Sequence, residues 1–183
     1  MNRSRPYSMW LTVGALALPG CGNSPTSVLN STVTGLTPGI YTGDMLCEGT
    51  FTDATGTAPI QDVSAGRRVI GSSGLPVEAG LEAREGDMLE REFGEFTVTV
   101  VTDAVTVTPN GVVVDWSGSA VSNVCTDADC TSVETQGFEM IGTESYKASG
   151  QDSIEFSSWT TVFLSVNGET GSGSFVCAGV LSR

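Results

Sequence analysis

The cysteines are the residues whose type and spacing could most readily do chemistry in this sequence. Four residues separate Cys125 from Cys130, and two of them, Asp127 and Asp129, are acidic. Dithiol redox motifs place two residues between their cysteines, and a zinc site would need two further ligands. Ca²⁺ needs six or more oxygens, of which the aspartates and Glu134 supply only a fragment. We therefore predict a disulfide across a short loop and no bound metal or cofactor. Zinc binding and free thiols are the alternatives.

Two further cysteines, Cys47 and Cys177, lie near opposite ends of the chain, each two residues before a glycine. Both fall in the middle of a predicted strand. If an antiparallel meander with an even number of strands closes on itself, its first and last strands become antiparallel neighbours. We therefore predict the bridges Cys47–Cys177 and Cys125–Cys130, one of the three pairings that four cysteines allow.

Catalytic residues are not predicted. The chain contains no histidine, which excludes Ser-His-Asp and Cys-His catalysis and histidine-containing zinc sites. With 21 acidic residues, some pair will reach the spacing of a glycosidase by chance, so a carboxylate-dependent hydrolase is kept only as an alternative. Lys147 is the only lysine, and its place in a strand favours an exposed residue over a nucleophile.

The aromatic residues at strand spacing have two interpretations. They could line a ligand-binding surface, or they could pack in the core, which is the usual place for such residues. We favour the core for all of them: Tyr41, Trp116, Tyr146 and Trp159.

The first 20 residues have the pattern of an export signal. Arg3 and Arg5 precede a short apolar stretch, residues 9–18, which is too short to span a bilayer as a helix. The segment ends Leu18-Pro19-Gly20-Cys21, which resembles the lipobox of bacterial lipoproteins, with Pro19 replacing the usual small or apolar residue. The resemblance implies a lipid on Cys21, which would anchor the protein to a membrane of the cell envelope, on the periplasmic side or at the cell surface. Plain secretion is the alternative.

The organisation predicted from these features is a signal peptide at 1–20, a lipidated flexible tether at 21–38 and one domain at 39–183. The tether is rich in Ser, Thr, Asn, Gly and Pro. A lipidated Cys21 would leave four cysteines to pair in an oxidising compartment. The net charge is −13, and removal of the two arginines of the signal lowers it by two more. Such a surface repels phosphate backbones, so nucleic acid is not a predicted partner.

Alternating apolar residues predict an all-β domain. The clearest strands are 40–51, 96–108 with a bulge or turn near 102–104, 112–116, 137–148, 154–166 and 174–181. Short strands are expected around 60–63 and 67–71. For residues 77–95, two strands with a turn at 85–87 are favoured over a helix, because Gly80 and Gly86 weaken a helix by roughly 1 kcal/mol each. The predicted fold is a single antiparallel meander of about eight strands, closed as a barrel or folded as a sandwich.

Two residue patterns at the ends of the domain are similar to those of lipocalin-type barrels. The first strand opens with Gly39-Ile40-Tyr41, a Gly-x-aromatic pattern in which Tyr41 replaces the expected tryptophan, and Arg183 lies at the end of the chain. The resemblance implies a carrier of a small apolar ligand. The leading hypothesis from the whole sequence is a non-enzymatic binding or structural module of the envelope. Its partner would be a small apolar ligand, a glycan or another envelope protein.

Overall fold

The computed structural model describes residues 34–183, except 94–95, 126–128, 130, 132 and 167. This part of the chain is all-β. Its strands are β1 (Gly39–Asp53), β2 (Gly56–Ile70), β3 (Val77–Glu78), β4 (Leu81–Glu82), β5 (Met88–Phe93), β6 (Phe96–Thr108), β7 (Gly111–Cys125), β8 (Val133–Ala148), β9 (Ser153–Val166) and β10 (Glu169–Ser182).

Eight of these strands form one antiparallel sheet in the order β2-β1-β10-β9-β8-β7-β6-β5, and β3 and β4 form a separate hairpin. The predicted bulge in β6 is confirmed, because the register with β7 shifts between Thr102 and Ala104. The two short strands expected at 60–63 and 67–71 are one continuous strand, β2. Pairing with β1 along its whole length keeps this polar stretch extended. The alternation of apolar and polar residues in β2 is too weak to predict the full strand from the sequence.

The first and last strands are neighbours, as predicted, and Cys47 lies directly opposite Cys177. A disulfide joins the two, with a Cα–Cα distance of 4.0 Å. This half of the predicted pairing is confirmed. Cys125 ends β7, but the predicted bridge to Cys130 and the lipid site Cys21 lie outside the described residues or side chains.

The sheet does not close into a complete barrel, because its two edge strands, β2 and β5, do not pair. The segment between them crosses the open side. A β-bridge between Ile70 and Pro76 holds it to β2. Two backbone hydrogen bonds hold it to β6: the Gly86 amide donates to the Thr102 carbonyl, and the Thr102 amide donates to the Asp87 carbonyl. The prediction of a closed barrel is therefore wrong. On this side, short strands and turns take the place of direct pairing between the two edge strands.

Residues 77–93 form strands rather than a helix. β3 and β4 pair across Ala79 and Gly80, which both have positive φ angles (49° and 84°), as a two-residue hairpin turn requires. A second turn near Gly86 leads into β5. The strand interpretation of this segment is confirmed, with one turn more than predicted.

The inner face of the curved sheet holds two apolar clusters. The first, which we call the lower cluster, lies at the end of the sheet where β1 begins and β10 ends. It contains buried side chains from six strands, among them Tyr41, Tyr146, Phe156 and Leu181. The second cluster lies nearer the opposite end of the sheet. It centres on Trp116, with Val98 and Val100 of β6 and Phe138 and Met140 of β8. The fold thus buries one face of nearly every strand, which matches the alternation of the sequence.

The chain before β1 closes the lower end of the sheet. Leu36 is only 1% exposed and belongs to the lower cluster. Thr34 is buried beside it, donates a hydrogen bond from its hydroxyl to the Gly74 carbonyl (3.1 Å) and accepts one from the Leu36 amide (3.2 Å). The packed domain therefore includes residues 34–38, which had been assigned to the flexible tether. The apolar Leu36 overrides the polar composition around it.

The two patterns that resemble lipocalin-type barrels contact each other at this lower end. Arg183 donates from Nη1 to the Pro38 carbonyl (3.2 Å), and its side chain passes over Gly39, where a Cβ would come within 2.6 Å of Arg183 Cδ. Tyr41 donates its hydroxyl proton to the Thr37 carbonyl (2.7 Å). Residues from both ends of the chain thus fasten the base of the sheet.

Candidate functional site

A partly exposed charged cluster lies on the inner face of the sheet, next to the open side. Arg91 of β5 forms an ion pair with Glu78 of β3, and its guanidinium carbon lies 5.4 Å from the centre of the Trp116 ring. Burial lowers the pKa of Arg91, but the hydrogen bond and charge of Glu78 more than offset this effect and hold the pKa above its ordinary value. Arg91 is therefore a permanent cation that ties the β3–β4 hairpin to the interior.

Tyr146 and Glu144, two residues apart on the inner face of β8, complete this cluster. Tyr146 donates its hydroxyl proton to Glu144 Oε2 (2.5 Å). Burial and the negative charge of Glu144 raise the pKa of Tyr146 well above its ordinary value, so the tyrosine stays neutral. On the β2 side, the guanidinium of Arg68 lies 4.1 Å from the centre of the Phe156 ring.

The acids of this cluster are compensated rather than free. Both Glu78 and Glu144 stabilise the charge of Arg91, and the hydroxyl of Tyr146 occupies an oxygen of Glu144. A glycosidase needs one protonated and one ionised carboxyl directed at a substrate. Two carboxylates that share a partly buried arginine serve structure better than acid–base chemistry. Two buried donors of the cluster, Arg91 Nε and Trp116 Nε1, lack a hydrogen-bond partner among the described residues.

A second candidate lies on the outer face, where six apolar side chains form a diagonal band that we call the outer stripe. Strand register places Trp159 opposite Val176, and Leu46 opposite Val63. Such pairs, and their diagonal neighbours, are close enough for side chains to touch. Between 43% and 66% of each side chain is exposed. The stripe consists of Phe163, Ile141, Trp159, Val176, Leu46 and Val63.

Trp159 is fixed in the stripe by a polar contact. Its indole Nε1 donates to Ser174 Oγ of β10 (3.1 Å), which holds the ring across the neighbouring strand. The strands beneath belong to the sheet, so the stripe is presented on a rigid scaffold. Such a surface can bind an apolar partner without reorganisation of the backbone.

The upper end of the stripe opens into a concave surface that we call the upper groove, with a volume of about 800 Å³. Phe163 and Leu164 supply apolar surface there. The acidic residues Asp53, Glu139 and Glu169 lie around them. Asp53 Oδ1 accepts hydrogen bonds from the hydroxyl (2.6 Å) and the amide (2.7 Å) of Thr55, which hold the pKa of this carboxyl below its usual range.

The predicted site residues divide between the two faces of the sheet. Tyr41, Trp116 and Tyr146 are buried, as predicted for core aromatics. Trp159 is not: it lies on the outer face, so the core prediction is wrong for this residue. Lys147 is exposed and pairs with Glu155 at 3.4 Å, as expected of a surface residue.

The sequence did contain a signal for the outer stripe. In β9, Ile154 and Phe156 occupy even positions and are buried, whereas Trp159 and Phe163 occupy odd positions. Side chains at alternate positions of a strand face opposite sides of the sheet. The switch in parity along this strand thus separated the core aromatics from those on the surface.

No metal-binding group of three or more His, Cys, Asp or Glu residues occurs among the described residues. Over the same ranges, no helix has the length and apolar character needed to cross a membrane. Comparison of the chain with protein-family models, with curated proteins and with solved structures finds no match.

Proposed function

We propose that this chain is a lipid-tethered, non-enzymatic binding module of a bacterial cell envelope, with the outer stripe as its binding surface. A lipid on Cys21 would hold it at the membrane, and residues 22–33 would link the lipid to the sheet. The position of Cys21 after a short apolar segment and the lipobox-like residues before it support the anchor.

The outer stripe is the observation that carries the binding role. Six apolar side chains, two of them aromatic, are about half exposed on adjacent strands of a rigid sheet. Scattered apolar residues on a surface need no explanation, but a contiguous band bordered by polar residues marks an interaction site. The interior cluster, in contrast, is compensated internally and contributes to stability.

The anchor is tested by the mass of the mature protein after expression of the full chain in a bacterium. We expect a chain that begins at Cys21 with added acyl groups and sediments with membranes. Each buried CH₂ of an acyl chain contributes about 0.8 kcal/mol, so several chains anchor a protein stably. The Cys21→Ser variant should lose the added mass and leave the membrane fraction. An unmodified wild-type chain that begins elsewhere would contradict the proposal.

The binding surface is tested with Nile red, an uncharged dye whose fluorescence rises on apolar surfaces. We expect the isolated domain to enhance its fluorescence, and the double variant Phe163→Thr/Ile141→Thr to lose most of the effect. Threonine preserves the preference for strand structure. The matched control, Leu81→Thr/Met88→Thr, removes two exposed apolar residues elsewhere and should keep the signal. Equal loss in both variants would contradict a binding role of the stripe.

A further inference from the structure

The outer stripe has acidic residues along its borders. In the sheet, Glu139 lies opposite Phe163, and Glu48 lies opposite Val176. Asp53 and Glu169 line the upper groove beside Phe163. Apolar surface at the centre is therefore combined with negative charge at the edge.

Basic side chains on the outer face lie away from the stripe. Arg67 is four residues beyond Val63 on β2, and Lys147 is six beyond Ile141 on β8, which correspond to about 13 and 20 Å of strand. Lys147 is also paired with Glu155. The negative charge beside the stripe is thus left without a nearby cation of this chain among the described residues.

Asp53 keeps its negative charge in the border at mildly acidic pH. The hydrogen bonds from the hydroxyl and amide of Thr55 stabilise the carboxylate and hold the pKa of Asp53 below its ordinary value. The whole chain adds to the field with a net charge of −13. Electrostatic complementarity of this kind selects partners by the sign of their charge.

We propose that the outer stripe docks a segment of a partner protein in which apolar residues alternate with lysine or arginine. This inference rests on the function proposed above and names the partner class. The apolar side chains of such a segment would cover Trp159, Phe163 and their neighbours. Its cations would meet Glu48, Glu139, Asp53 and Glu169. An anionic lipid surface would be repelled, and a neutral glycan would leave the acidic border without a counterpart.

Three synthetic decapeptides labelled with a fluorophore test the proposal by fluorescence anisotropy. One alternates Lys and Leu, one alternates Lys and Ser, and one alternates Glu and Leu. We expect the Lys-Leu peptide to bind at least about tenfold more tightly than either control, because only it carries both features. Added salt should weaken its binding, since exposed ion pairs are screened.

Two charge variants separate the local border from the overall charge of the molecule. Glu139→Gln/Glu169→Gln removes two acids beside Phe163, and Glu85→Gln/Glu90→Gln removes two exposed acids elsewhere. Both change the net charge by the same amount. We expect the first to weaken binding of the Lys-Leu peptide by about fivefold, as two exposed ion pairs would contribute, and the second by less than about twofold.

Equal binding of the Lys-Ser peptide would overturn the inference, and so would an equal effect of the two charge variants. Either result would assign the binding to general electrostatic attraction. Failure of the Lys-Leu peptide to bind while Nile red still depends on Phe163 and Ile141 would reject a basic partner but leave the binding surface in place. Loss of both signals would reject the proposed function as well.

Discussion

At the scale of single residues, the tyrosines report most directly on the interior. The chain has three, of which Tyr7 lies in the predicted signal and Tyr41 and Tyr146 are in the folded domain. Both are buried, and burial is the main cause that raises the pKa of each above its ordinary value. A buried phenol resists ionisation because its anion would lose the solvation of water.

Ionisation of Tyr146 should therefore require unfolding, and Tyr41 should ionise only above the ordinary pKa of tyrosine. The free energy that both contribute is present below about pH 10, the ordinary pKa of tyrosine, and is lost as the pH rises through their raised native values. In a domain that begins after Cys21, we expect the absorbance of tyrosinate at 295 nm to rise together with the loss of circular dichroism. Rapid ionisation near pH 10 with the native spectrum intact would refute this expectation.

The Tyr146→Phe variant serves as the control for that titration. It removes the hydrogen bond to Glu144 and should cost about 1–2 kcal/mol at neutral pH, because a partly buried carboxylate oxygen loses its donor. The alkaline transition of this variant should also depend less steeply on pH, since one tyrosine fewer is ionised on unfolding.

At the scale of the strand, β8 shows how glycine shapes the inner face. A Cβ at Gly142 would lie 2.4 Å from Trp116 Cζ2 and 2.9 Å from the Trp159 carbonyl oxygen. The indole of Trp116 thus occupies the space that any other residue at position 142 would need. Glycine at this position allows the largest side chain of the second cluster to approach the backbone of β8 closely.

The Gly142→Ala substitution should consequently destabilise the domain by about 2–3 kcal/mol, the upper range for an overpacked core. Gly137 of the same strand is a matched control, since a Cβ there would lie 3.9 Å from the nearest atom, the Ser165 Cβ. Gly137→Ala should change the free energy of unfolding by less than about 0.5 kcal/mol. Urea unfolding of the two variants measures the difference, and similar values for both would contradict the packing of Trp116 described above.

At the scale of the whole molecule, the sheet has one covalently fastened side and one open side. The disulfide between Cys47 and Cys177 joins the first and last strands of the domain. On the other side, β2 and β5 do not pair among the described residues, and the segment that contains β3 and β4 lies between them in sequence. The bridge spans 130 residues of sequence, so it restricts the unfolded chain strongly.

Removal of the bridge in Cys47→Ala/Cys177→Ala should lower the free energy of unfolding by about 4–5 kcal/mol, less any strain in the native bond. The dependence of the free energy on urea concentration should steepen, because the unfolded chain becomes more expanded. If the predicted bridge between Cys125 and Cys130 forms, it closes only a short loop, and Cys125→Ser/Cys130→Ser should cost less. A larger loss in this second variant would mean that the seam between β1 and β10 is not the principal constraint.

The sequence by itself determined the class of fold, the neighbouring positions of the first and last strands, the Cys47–Cys177 bridge and the burial of Tyr41, Trp116 and Tyr146. These features follow from local rules. Alternation with a period of two assigns a residue to one face of a strand, and two cysteines on the inner faces of neighbouring strands can meet. The start of the domain and the extent of β2 were predicted less accurately, because the burial of Leu36 and the pairing of β2 depend on contacts with distant residues.

Only the tertiary structure decided where the sheet stays open and which residues gather into sites. Glu78, Arg91 and Glu144 come from three different strands, so their cluster depends on the order of strands and on the path of the chain across the open side. The outer stripe likewise depends on register. The strands β1 and β10 must pair in one register to bring Leu46 beside Val176, and no turn joins these two strands, because they lie at opposite ends of the domain.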